Sequence, residues 1–171
     1  MTSASLSTET LHTTAISIGG QAVLIGGLSG HGKSDLALRL IDRGATLVSD
    51  DYTLVRRVDG RLLASAPTTI AGKIEVRGVG VLEFPTATDV PVGLFVDLDL
   101  PPERLPEAGF TRMLAGVAVP VIGLGALEAS APIKVEAALR LFGSTPTQPS
   151  GPQVRPPGEP KGGPDPLKGE G

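Results

Sequence analysis

Gly27-Leu28-Ser29-Gly30-His31-Gly32-Lys33-Ser34 is the stretch on which the reading of this chain turns. It satisfies the pattern G-x-x-x-x-G-K-[ST], and each fixed position has a physical reason. Glycines let the backbone wrap closely enough to aim its N–H groups at phosphate oxygens. Lys33 brings a mobile positive charge to the β- and γ-phosphates, and the Ser34 hydroxyl can ligate Mg²⁺. His31 occupies a variable position and reads as a solvent-facing neighbour of the phosphates. The pattern requires a strand before it and a helix after it. Residues 22–25 read as a strand, and after Ser34 the residues Leu36, Ala37, Leu40 and Ile41 fall at helical spacing. Arg43-Gly44 places a cation and a glycine where a helix should end. The helix adds its N-terminal amides and dipole to the loop. The setting predicts a site for a nucleotide with Mg²⁺.

Working outward, Gly19-Gly20 separates two apolar runs, 11–18 and 21–25, and predicts a hairpin. Residues 45–49 read as a short buried strand, and 52–66 as a second hairpin turning at Asp59-Gly60. A further strand over 92–100 alternates Leu94, Val96, Leu98 and Leu100 against Phe95, Asp97 and Asp99. An apolar run follows over 117–122, and Ser130-Ala131-Pro132 opens a helix reaching about Phe142, with Ser130 as N-cap. The fold class is α/β or α+β, a single P-loop domain with a β-rich core. Residues 1–10 read as a flexible N-terminus, 11–143 as the folded unit, and 144–171, rich in Pro and Gly, as a disordered tail.

Composition narrows the function classes. At 171 residues the chain suits one domain, and with 3% aromatic residues its interior must be aliphatic. The formal charge of −3 and the lack of a basic run argue against nucleic acid as a partner. The absence of cysteine excludes disulfides, thiolate metal sites and a Cys nucleophile. No run is apolar for long enough to span a bilayer, and the start has no basic or apolar leader pattern, so the expected location is the cytoplasm.

Leu47-Val48-Ser49-Asp50-Asp51 puts two carboxylates at the end of an apolar run, where a P-loop enzyme holds Mg²⁺. In an extended segment the two point to opposite sides, so one faces the metal and the other the phosphoryl acceptor. A second notable stretch is Gly72-Lys73-Ile74-Glu75-Val76-Arg77-Gly78-Val79-Gly80-Val81. Glu75 can extend a Mg²⁺ shell and Arg77 can stabilise a transferring phosphoryl group; spacing alone favours a surface hairpin carrying a Glu/Arg pair. His12, upstream at the start of the first strand, reads by itself as structural.

Taken in order, His12, the loop 27–34, the run from Asp42-Arg43-Gly44 to Asp50-Asp51, and Ile74-Glu75-Val76-Arg77-Gly78-Val79-Gly80 resemble the catalytic domain of bacterial HPr kinase/phosphorylase. The last stretch is similar to that family's own signature. The resemblance runs from about His12 through the 117–122 strand to the helix start at 128–132. It implies a β-rich core with a P-loop and a site similar to that of phosphoenolpyruvate carboxykinases. It implies a kinase that phosphorylates a serine of the phosphocarrier HPr and can reverse the reaction with inorganic phosphate. It also implies ATP as donor, a role in phosphotransferase-system regulation, either of carbohydrate metabolism or in a nitrogen- or envelope-linked system, and a homo-oligomer, since the family forms hexamers. Carried over by position, Lys33 and Ser34 hold nucleotide and Mg²⁺, Asp50 is the base, Asp51 and Glu75 support the metal, and His12 lies near the transferred phosphate; the resemblance also favours a catalytic part for Arg77 over a surface pair. Leu28 stands where the family commonly has Asp, and Lys73 where an apolar residue is usual. The length matches the short alphaproteobacterial-type form, which lacks the separate N-terminal domain. The rival readings are a non-catalytic ATP-binding sensor of a phosphotransfer system and a small-molecule kinase; the latter leaves 75–80 unexplained.

Overall fold

The computed structural model describes residues 8–104 and 110–144. Its elements are β1 (Thr8–Leu11), β2 (Thr13–Ile18), β3 (Gln21–Gly26), α1 (Lys33–Asp42), β4 (Thr46–Ser49), β5 (Thr53–Val58) and β6 (Arg61–Ser65). β7 (Lys73–Val76), β8 (Gly80–Glu83), β9 (Val90–Asp97), β10 (Thr111–Leu114), β11 (Val117–Gly123) and α2 (Ala131–Phe142) follow. Both expected hairpins form: β2 pairs β3 across Gly19-Gly20, and β5 pairs β6 across Asp59-Gly60. Strand pairing also starts earlier than the composition suggests, because Thr8–Thr10 lie in β1 against β5. Of the tail expected over 144–171, only Ser144 is described; its N–H donates to the Gly93 carbonyl at 3.0 Å.

β9 organises the sheet. On one side it runs parallel to β3; on the other its first residues pair antiparallel with β6 and its last ones parallel with β11. One strand therefore carries two wings, and the sheet splits in the order β1-β5-β6-β9-β3-β2-β4, with β11 and β10 branching from β9. Register slips at Gly93, where Ala22 faces Val92 but Val23 faces Leu94. This bulge turns Val92 and Leu94 to opposite faces, so that Val92 joins one apolar cluster and Leu94 the other.

Two cores result. Ala15, Leu24, Val55 and Phe95 fill the space between the wings, while Ile16, Ile25, Leu36, Leu40 and Val96 join the sheet to α1 and α2. The expected alternation over 92–100 holds only within the strand. Leu98 stays on the helix side, but Leu100 lies past the end of β9 and packs into the other cluster. α1 ends as its residues allow: Gly44 stands at φ 108°, and the amides of Gly44 and Ala45 close on the carbonyls of Ile41 and Leu40. Ser130 precedes α2 in helical geometry and its side chain makes no capping bond, contrary to expectation. No helix among the described residues is long and apolar enough to cross a membrane.

A Cβ on Gly26 would lie 2.5 Å from Phe95 Cζ. Gly26→Ala therefore lowers unfolding stability by about 1–3 kcal/mol in urea melts. Joined with Phe95→Leu it costs less than the two single changes summed, and strict additivity would refute the contact. Separately, Arg43 grips Glu136 across α1 and α2 with two bonds of 2.8 and 3.0 Å. The bond from Arg43 holds the Glu136 carboxyl below its ordinary 4.5. A folded pKa below the unfolded one means that the pair stabilises the fold above pH 4.5 and that this is lost as pH falls through the lowered value. Glu136→Gln is thus less stable than wild type at pH 7, and the gap closes on acidification.

Candidate active site

The site assembles at one edge of the sheet because of how the strands run. β3, β9 and β11 are parallel, so the glycine-rich loop, the Asp97–Asp99 turn and the 124–127 segment all leave from their C-terminal ends. Such ends are where open α/β sheets place ligands. β2 is antiparallel to β3 and to β4, so the start of β2 and the end of β4 reach the same edge. His12 and Thr14 thereby meet Asp50 and Asp51.

The loop has the backbone its glycines permit. Gly30 and Gly32 stand at φ 82° and 95°, and a Cβ on Gly32 would press on Ala126 at 3.1 Å. Ser29, Gly30, Gly32, Lys33 and Ser34 line a cleft of about 550 Å³ together with Leu38, Asp50, Asp51, Glu75, Arg77 and Leu127. Gly27, Leu28 and His31 instead face the turn after β9. There Asp99 accepts from the Leu28 N–H at 2.9 Å and pairs with His31 Nδ1. Its own N–H is held by Asp97 at 2.9 Å. Lys33 is buried, and its Nζ donates to the carbonyls of Gly27 at 2.7 Å and Leu28 at 3.2 Å.

Asp50 is the hub. Its Oδ1 accepts from Ser34 Oγ at 2.6 Å and from Thr14 Oγ1 at 3.0 Å, and its Oδ2 from the Glu75 N–H at 3.3 Å. The carboxylate is buried. Asp51 is its opposite, with a side chain 58% exposed and bonded to His12 Nε2 at 2.9 Å. Both carboxylates nevertheless line one cleft, against the expectation that neighbours in an extended chain diverge. The cause is a three-residue turn: the Tyr52 N–H donates to the Asp50 carbonyl at 2.8 Å, with Asp51 at φ 67°. A turn of this γ type at positive φ is rare, and Thr14 Oγ1 supports it by accepting the Asp51 N–H at 3.2 Å. His12 reaches the site through Asp51 rather than by lining the cleft.

The second signature forms the β7–β8 hairpin, which is more than a surface ribbon. Ile74 is wholly buried and β7 lies against α1, which brings Glu75 to the cleft. Arg77 is exposed in the turn after β7.

Oxygen donors on Ser34, Asp50 and Glu75, gathered in one cleft beside the glycine-rich loop, fit a hard cation and a phosphate chain. No group of three or more His, Asp or Glu among the described residues forms a ready-made metal cage. Mg²⁺ does not need one, since it keeps several waters and phosphate oxygens as ligands. Residues missed from sequence include Thr14 and Asp99. A polar Thr14 on the face of β2 that also carries buried Ile16 was the available signal.

Residues 4–88 match the family model described as the HPr serine kinase C-terminal domain. The HPr(Ser) kinase/phosphatase structure from Coxiella burnetii superposes with a TM-score of 0.67 at 30% identity, covering 78% of this chain and 95% of that one. The chain belongs to the HPr kinase/phosphorylase family. Its relatives include the HPr kinase/phosphorylases of Clostridium tetani and Clostridium beijerinckii, each 43% identical over 76 residues. Those matches cover 44% of this chain and 25% of each relative, so the chain spans about a quarter of the length of the curated relatives it matches.

Thr14 is the testable joint of this site. Thr14→Val leaves the Asp51 N–H without its acceptor and takes one donor from buried Asp50. The expected loss of stability is about 1–3 kcal/mol by thermal melting. An unchanged melting temperature would show that Thr14 does not hold the turn.

Proposed function

We propose that this chain transfers the γ-phosphoryl group of ATP to a serine hydroxyl of an HPr-like phosphocarrier in the cytoplasm. The reading is supported chiefly by one observation: loop, Ser34, both aspartates, Glu75 and Arg77 share a single cleft in a chain of this family. The relatives' names, HPr kinase/phosphorylase and HPr(Ser) kinase/phosphatase, point to the acceptor and to a reverse reaction. In the reverse direction inorganic phosphate takes the phosphoryl group from the serine.

Ser34, Asp50 and Glu75 would hold Mg²⁺, which when bound neutralises charge on the phosphate oxygens. Lys33 exchanges its loop carbonyls for phosphate oxygens of the nucleotide, and the loop amides cradle the phosphates. Arg77, exposed at the cleft, stabilises charge on the phosphoryl group in flight.

Between the two aspartates, the geometry favours exchanging the roles expected from the resemblance. Asp50 is buried and already accepts three donors, one of them the Ser34 hydroxyl that belongs on the metal. A carboxylate so committed suits holding the cation. Asp51 is open to an incoming serine and bonded only on one side by His12, so it can take the serine proton. The serine oxygen then attacks the γ-phosphorus as ADP leaves, and in reverse Asp51 returns the proton.

Transfer of labelled γ-phosphate from Mg-ATP to purified HPr of the same organism tests the reading, with serine-linked label expected. Lys33→Ala loses it by roughly a hundredfold or more. Asp51→Asn lowers kcat by about 10²–10⁴ with the KM for ATP little changed, whereas Asp50→Asn raises the Mg²⁺ requirement. Full activity in Asp51→Asn would return the base to Asp50. ATP binding without any labelled HPr would favour a nucleotide sensor.

A further inference from the structure

We infer that Tyr52 is a positioning residue for this transfer, holding the His12 ring so that Nε2 stays on the Asp51 carboxylate. The inference rests on the proposed function and adds a residue that neither the loop nor the signature contains. His12 lies in the bend between β1 and β2 with a side chain 43% exposed, and its contacts are Asp51 and Tyr52. A single half-exposed contact does little to fix two side chains, because water competes for both partners. The Tyr52 ring supplies what the pair lacks, a flat partner for the imidazole, with centroids 5.1 Å apart and planes 28° from parallel.

Tyr52 is itself held at the backbone. Its N–H closes the turn on the Asp50 carbonyl, and its C=O accepts from Ser49 Oγ. The turn that swings Asp51 into the cleft therefore also sets the platform for His12. Asp51, His12 and Tyr52 form one unit, in which the tyrosine acts on the reacting carboxylate only through the histidine. A ring needs two torsions to be placed, so the orientation is obtained at small entropic cost.

Tyr52 is half exposed, so shortening it leaves both cores intact. Tyr52→Ala, Tyr52→Leu and Tyr52→Phe are compared in the full chain by kinetics and by proton–carbon spectra of the imidazoles. Only His12 and His31 contribute imidazole signals. The expected result is a shift of the His12 signals in Tyr52→Ala and Tyr52→Leu, with His31 unmoved and Tyr52→Phe close to wild type. Kinetically, the Ala and Leu forms lose about tenfold in kcat with the KM for Mg-ATP within twofold, and Phe restores at least half. Unmoved His12 signals in both truncations, or full kcat in them, would overturn the inference. So would a Phe form as slow as Ala, which would give the hydroxyl the role. If wild type labels no HPr, the proposed function falls, while the imidazole signals still decide whether Tyr52 places His12.

Discussion

The bonding around the Asp50 carboxylate is the constraint from which the rest of the site follows. A buried ionised carboxylate is costly unless donors surround it, and here the donors come from three separate segments: Thr14 on β2, Ser34 on α1 and the Glu75 amide on β7. Each donor fixes its own element. The bond to Ser34 sets how the first turn of α1 approaches β4, and the bond to Glu75 ties the β7–β8 hairpin over the helix. The site is thus held by the same contacts that its chemistry would use, and the cleft cannot widen without uncovering a charge.

What lets these segments meet is the branching of β9. A flat sheet with β9 in its middle would cover one face with α1 and α2 and leave the other to water. Because β9 pairs β6 along its first residues and β11 along its last, the sheet divides, and its own strands cover the second face. Gly93 makes this workable. Its bulge reverses the face of the residues on either side, and its missing Cβ admits α2, since a Cβ there would lie 3.0 Å from Leu139 Cδ1. The same strand ends at Asp97, and Asp99 in the turn beyond it braces the outside of the glycine-rich loop. Arg112 completes that corner, bonded to Asp97 at 2.8 Å and lying over the Phe95 ring at 4.5 Å.

Elements whose signal is local were legible in the sequence. The Gly19-Gly20 and Asp59-Gly60 hairpins, the loop and its helix, and the helix opened by Ala131-Pro132 all stand where turn chemistry and periodicity put them. Features set by partners distant in the chain were not. β1 begins at Thr8 only because β5 offers it a partner, and nothing in Thr8-Glu9-Thr10 announces that. The depth of β7 depends on one buried residue, Ile74, against α1. The aspartate pair is the instructive case: its position at a strand end was readable, but the meeting of both carboxylates in one cleft was not. An extended segment would have separated the carboxylates, and a single positive φ at Asp51 brings them together instead. That angle is stabilised by Thr14, thirty-seven residues away.

In the cleft, Lys33 and Arg77 face Asp50, Asp51 and Glu75, and Asp35 is occupied by Arg39 at 3.0 Å. Acidic groups therefore outnumber cations where a chain of phosphates would have to lie. A polyphosphate entering alone would meet Coulomb repulsion that two basic side chains do not balance. In the proposed function this repulsion is the reason that a divalent cation must accompany the nucleotide, and Asp50 with its Ser34 partner lies on the side where it would bind. Asp51 is the carboxylate left over by that arrangement. In that reading Asp51, exposed and bonded to His12, is left to exchange a proton with the acceptor. The surroundings of the two neighbours differ: one carboxylate is enclosed by fixed donors, and the other is open and bonded to His12.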